Sequence, residues 1–98
     1  MKATLIARRR IVYSARAFAE LVLSRVPEAV RGSAHGFKYR LAYVVDEVCV
    51  VRYDNEMGKG DHRHIEDLQT PYRFSTPDRL LADFHADIAR WNDENGGP

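Results

Sequence analysis

The chain has 98 residues, 45% of them hydrophobic, which suits one small domain over residues 1–98 with one modest core. Formal net charge is only +1, so the chain as a whole is no strong polyanion trap, and the single cysteine excludes an internal disulfide or a CxxC metal knot. No apolar run approaches the roughly 20 residues of a membrane span. No apolar segment with a cleavage site opens the chain, so a soluble cytoplasmic protein is expected.

The charge is unevenly spread. Residues 1–45 hold nine Lys or Arg against Glu20 and Glu28, a net of +7, and the rest holds six against twelve, a net of −6. A basic front half can meet nucleic acid and an acidic back half a basic partner, or the two can neutralise each other as solvated faces.

Thr4 to Tyr13 reads as a strand, because β-branched residues flank Arg8, Arg9 and Arg10. The arginines can grip phosphates or keep an edge strand soluble. Ala15 to Val26 is ambiguous. Phe18, Leu21, Val22 and Val26 fit a helical stripe, yet Phe18/Val22/Val26 and Ala17/Ala19/Leu21/Leu23 also separate onto two faces of a strand. Pattern alone leans to helix, and Pro27 ends the element either way. Glu28 to Gly36 reads as a surface loop with His35 solvated in it.

Phe37 to Val45 and Val48 to Tyr53 are the clearest strands, broken by Asp46-Glu47 into a tight hairpin. Cys49, Val51 and Tyr53 share one side of it, with Cys49 a buried small hydrophobe. The hairpin delivers Asp54 and Asn55 from its end. Arg52 to His64 then reads as a glycine loop dense in functional groups. If the chain is extended there, His62, His64 and Glu66 share one side and Arg63 and Ile65 the other. Thr70 to Phe74 is a further short strand, placed at an edge or a strand start by Pro71.

The C-terminal helix is well signalled. Thr76 can cap it, Pro77 fits its first position and Asp78 its positive end. Leu80, Leu81, Phe84, Ile88 and Trp91 form one apolar stripe, Arg90 suits the negative end, and residues 92–98 read as a frayed tail. His85 flanks the stripe as a structural or solvated residue.

Three chemistries fit the central stretch. In the first, RNA is cleaved without metal. His62 and His64 serve as base and acid beside Asp54, with Lys59, Arg63 or Arg52 offsetting phosphate charge. Tyr53 stacks on a base, while Arg8, Arg9, Arg10, Lys38, Arg40 and Arg52 hold the polyanion. In the second, His62 and His64 join Asp61 or Asp54 as ligands of Zn, Mn or Fe. In the third, the glycines and Asp54-Asn55 simply turn the chain.

Arg52-Tyr53-Asp54-Asn55, followed by Gly58-Lys59-Gly60-Asp61-His62-Arg63-His64, resembles the signature of the TumE family, toxins of bacterial type II toxin–antitoxin modules. The resemblance extends to Lys38-Tyr39-Arg40-Leu41, to Tyr72 and Phe74, and to Leu81, Asp83 and Phe84. It implies a helix-turn-helix antitoxin as partner. It also implies a strand-rich front half, so Ala17 to Val26 is assigned to a strand, although Ser14-Ala15-Arg16 lacks the usual turn glycine. The combined expectation is an α+β domain, an antiparallel sheet with one C-terminal helix packed on a face. The expected function is that of a toxin acting on RNA, with a non-enzymatic binding module or a metal-dependent hydrolase as alternatives. No cofactor is expected, and a homo-oligomer is left open.

Overall fold

A computed structural model describes residues 3–97. Six strands and one helix follow one another as β1 (Thr4–Ser14), β2 (Ala17–Arg25), β3 (Phe37–Val45), β4 (Val48–Glu56), β5 (Gly60–Ile65), β6 (Leu68–Pro71) and α1 (Pro77–Asn95). The strands form one antiparallel meander in chain order. The architecture is the expected α+β sheet with a C-terminal helix.

The strand assignment of the second element is correct and the helical stripe is not. Alternation decides it, because Ala17, Ala19, Leu21 and Leu23 are all buried while Phe18, Glu20, Val22 and Ser24 point to the other face. A two-residue turn without glycine is workable there because Ser14 Oγ accepts a hydrogen bond from the Arg16 amide. Arg16 then ion-pairs with Asp46, tying this turn to the β3–β4 turn. That second turn has Asp46 and Glu47 at φ 50° and 66°, the double left-handed geometry that suits the twist of a two-residue hairpin.

One side chain is displaced by a backbone irregularity. Tyr43 pairs with Val51 but Val44 pairs with Cys49, so Val50 is an extra residue, a β-bulge. The bulge inverts the alternation beyond it. Cys49 is therefore exposed beside Val44, not buried beside Val51 as expected.

Helix α1 packs over β4. Thr76 accepts from the Arg79 amide at 3.1 Å and Pro77 follows it, as expected. Leu80, Phe84 and Ile88 are fully buried against a sheet face that includes Leu41, Tyr43, Val51 and Tyr53. Each contributes about 2 kcal/mol of apolar burial. The helix runs to Asn95, further than the expected tail at residue 92 allows, and Gly96 ends it at φ 67°. Arg90 is consequently not in the last turn; it ion-pairs with Asp87 at 3.5 Å. Pro98 lies outside the described residues.

Two elements shift relative to expectation. Strand β4 continues through Asp54 and Asn55 to Glu56, and β5 begins at Gly60. The supposed glycine loop is thus a β-hairpin closed by Met57 to Lys59. The last strand is Leu68–Pro71, with Tyr72 to Phe74 beyond its end.

Candidate functional site

Cross-strand register sorts the side chains onto two walls, because partners in an antiparallel ladder point the same way. One wall is covered by α1. The other carries no helix. Going across it from β1, it presents Arg8 and Arg10, then Val22 and Ser24, then Lys38 and Arg40, then Arg52 and Asp54, then His62 and His64.

The centre of this open wall is two cross-strand pairs. Arg52 faces His64 and Asp54 faces His62. The Arg52 Nη2 lies 3.0 Å from His64 Nε2 and 3.4 Å from Nδ1. Its Nε is 3.4 Å from Asp54 Oδ2 but aligned for no hydrogen bond, so the contact is a charge attraction only. The two imidazole centroids are 6.3 Å apart. Burial, then the Arg52 charge, lowers the His64 pKa below the ordinary histidine value. A hollow of about 330 Å³ opens alongside, lined by Val22, Ser24, Lys38, Arg40, Asp54 and Glu56 among others, with Asp54 shared between it and the histidine pairs.

Several expected site residues lie elsewhere. Arg63 alternates to the helix wall, where Nε and Nη2 donate to Asp87 at 2.7 and 2.8 Å. Tyr53 is buried on the same wall and its hydroxyl also donates to Asp87, so its ring offers no face to a base. Asp87 is lowered in pKa: burial opposes its charge, and the bonds from Arg63 and Tyr53 overcome that opposition. Burial and the bond to Asp87 push the Tyr53 hydroxyl up. Arg9 pairs with Leu21 and so sits on the wall opposite Arg8 and Arg10. Lys59 is in the exposed turn, 3.5 Å from Glu56. Glu66 sits in the β5–β6 turn and accepts from Trp91 Nε1 at 3.2 Å, apart from the histidine pair.

Asp61 also faces the helix wall, so the set His62, His64 and Asp61 does not converge. Among the described residues no three His, Cys, Asp or Glu side chains are grouped to hold a metal ion.

No sequence motif announces what Asp61 does. It accepts from Ser33 Oγ and from the Tyr39 hydroxyl at 2.7 Å, and it lies 2.7 Å from His35 Nε2. His35 Nδ1 accepts from the Phe37 amide, and its ring stacks on Phe74 at 3.9 Å between centroids. His35 is therefore a fully engaged, half-buried residue and not a solvated one. Nearby, Asn55 accepts from the Tyr39 amide at 3.0 Å and donates to the Phe37 carbonyl at 2.8 Å. These contacts fasten the loop 26–36 to β5 and hold the end of β3 against β4. A second hollow of about 450 Å³ beside them is lined by Lys59, Asp61, Arg73 and Phe74 among others. These partners of Asp61 and Asn55 are 16 to 28 residues away in the chain, so no local motif marks them.

Among the described residues no helix is long and apolar enough to cross a membrane. Comparison with curated proteins and with solved structures brings no match. The family model described as Toxin TumE matches residues 2–92, which span both walls of the sheet, the histidine hairpin and most of α1. The chain therefore belongs to the TumE family of toxins.

Proposed function

We propose that this toxin acts on RNA at the open wall, by metal-independent cleavage next to the ribose 2′-hydroxyl. The observation that supports it is the juxtaposition of Arg52–His64 and Asp54–His62 on one uncovered face with Lys38 and Arg40. His64, with its lowered pKa, is neutral at physiological pH and takes the 2′ proton. The 2′ oxygen attacks phosphorus, the bond from phosphorus to the 5′ oxygen breaks, and His62 as general acid protonates that oxygen. A 2′,3′-cyclic phosphate and a free 5′-hydroxyl result. Arg52 offsets the negative charge gathering on the phosphoryl oxygens, and Asp54 attracts Arg52 across 3.4 Å. Lys38, Arg40, Arg8 and Arg10 guide the strand across the sheet. A helix-turn-helix antitoxin is the cognate protein partner, and its binding holds the toxin silent.

The test is purified protein incubated with RNA, with and without EDTA, beside His62→Ala and His64→Ala. Cyclic phosphate ends that persist in EDTA and vanish in both variants are expected. Loss of cleavage in EDTA alone overturns the metal-free mechanism. Full growth inhibition by both variants overturns acid–base chemistry at this pair. Toxicity without cleavage, even with ribosomes added, turns the wall into a binding surface.

A further inference from the structure

The sheet has two edges of very different character. Strand β6 is four residues long and contains Pro71, which has no amide hydrogen to offer. Strand β1 is eleven residues long and its outer side pairs with nothing among the described residues. Register shifts bend it between Leu5 and Ala7 and between Val12 and Ser14, leaving a regular stretch from Ala7 to Val12. Its side chains include the exposed apolar Leu5, Ile6 and Val12 and three successive arginines, with no acidic residue anywhere in the strand. Arg10 is engaged with Glu20 at 3.3 Å and lies over the Phe18 ring. Among the described residues Arg8 and Arg9 have no ion-pair partner.

We propose that β1 is the docking edge for the protein partner, which adds an extended acidic segment as a seventh strand beside Ala7–Val12. Unpaired backbone groups supply the hydrogen bonds, and alternate side chains supply the selectivity. Arg8 and Arg10 lie on the open wall and Arg9 on the other. A strand bearing successive carboxylates therefore answers the arginines on both of its faces, and Ile11 and Val12 call for apolar residues next to them. A second copy of this chain is disfavoured, because pairing β1 with itself around Arg9 sets arginine opposite arginine. For its consequence, though not for the binding, the inference rests on the open wall being the RNA surface. The partner's carboxylates beside Arg8 and Arg10 would occupy that wall's cationic rim and repel phosphate.

The test uses the full chain and a fluorescein-labelled peptide of roughly nine residues, rich in Val and Thr with a central run of Glu. Controls carry Gln or Lys in place of Glu. The Glu peptide is expected to bind at low salt, weaken by about tenfold or more in high salt, and move backbone amide resonances within Thr4–Ser14. The combined variant Arg8→Glu, Arg9→Glu, Arg10→Glu, with its circular dichroism unchanged, should lose the Glu peptide and gain the Lys peptide. Resonance shifts confined to β3–β5, equal binding of Glu and Gln peptides, or a dimer in sedimentation that the triple variant disperses would each overturn it. If single-stranded RNA moves the β1 amides and the peptide does not, the edge serves nucleic acid. No arm depends on cleavage, so its failure is separate from failure of the RNA reading.

Discussion

Arg52 and His64 stand opposite each other across the β4–β5 ladder, with a guanidinium nitrogen 3.0 Å from the imidazole Nε2. The arginine disfavours protonation of the ring, adding to the effect of burial. Arg52→Gln removes the cation but leaves most of the burial. The His64 pKa should rise toward the ordinary value of about 6.5, and the acid limb of any pH–rate profile should move up with it. Titration of the His64 Cε1 proton by NMR measures this directly. An unchanged midpoint would mean that burial alone sets the value.

Asp87 predicts a second outcome, in stability. Its folded pKa is below the unfolded value of about 3.9. Its contribution is therefore complete above roughly pH 4 and is lost as pH falls through the lower folded value. Asp87→Ala leaves the Arg63 guanidinium and the buried Tyr53 hydroxyl without their acceptor. The cost should be about 3 kcal/mol, toward the low end for a broken buried pair because Arg63 is partly solvated. Urea unfolding at pH 7 and pH 3 should show a smaller difference between wild type and variant at the lower pH.

Gly60, just past the turn of the β4–β5 hairpin, meets Gly32 of the loop before β3. A Cβ on Gly60 would lie 2.8 Å from the Gly32 carbonyl oxygen, and Gly60 has φ of +75°. Gly60→Ala should destabilise by about 2–3 kcal/mol. It should also loosen the bonds from Ser33 and His35 to Asp61, visible as faster amide exchange in residues 31–36.

How much of this was legible follows from range. The hairpins, the capped helix and the sharing of one side by His62 and His64 are set by neighbours in the chain, and alternation or cap chemistry exposes them. The opposite orientation of Arg63 follows from the same alternation, which also separates it from the histidines it was expected to assist. Tyr53 failed as a stacking platform because its fate depends on Asp87, 34 residues away. His35 looked solvated because Asp61 and Phe74, which engage it, arrive from later strands and loops. Ala17–Arg25 was a contest between two periods, and only the neighbouring strands β1 and β3 resolve it.

Asn55 carries a fourth expectation. It satisfies one backbone donor and one backbone acceptor of β3 from a site 1% exposed. Asn55→Ala strands both groups in a dry interior, and the cost should be about 2–3 kcal/mol. Asn55→Asp keeps the acceptor but replaces the donor with a carboxylate facing the Phe37 carbonyl, so it should recover little. Thermal melts of the two variants beside the wild type decide it.

The bulge at Val50 has a practical corollary. By turning the chain's single sulfhydryl outward onto the same surface as Arg52, it provides one attachment point for an environment-sensitive dye. The residue is exposed overall, but neighbouring side chains partly desolvate its sulfur and raise the thiol pKa, so conjugation calls for mildly alkaline buffer. The labelled molecule would then signal, by its emission, whatever arrives at that surface.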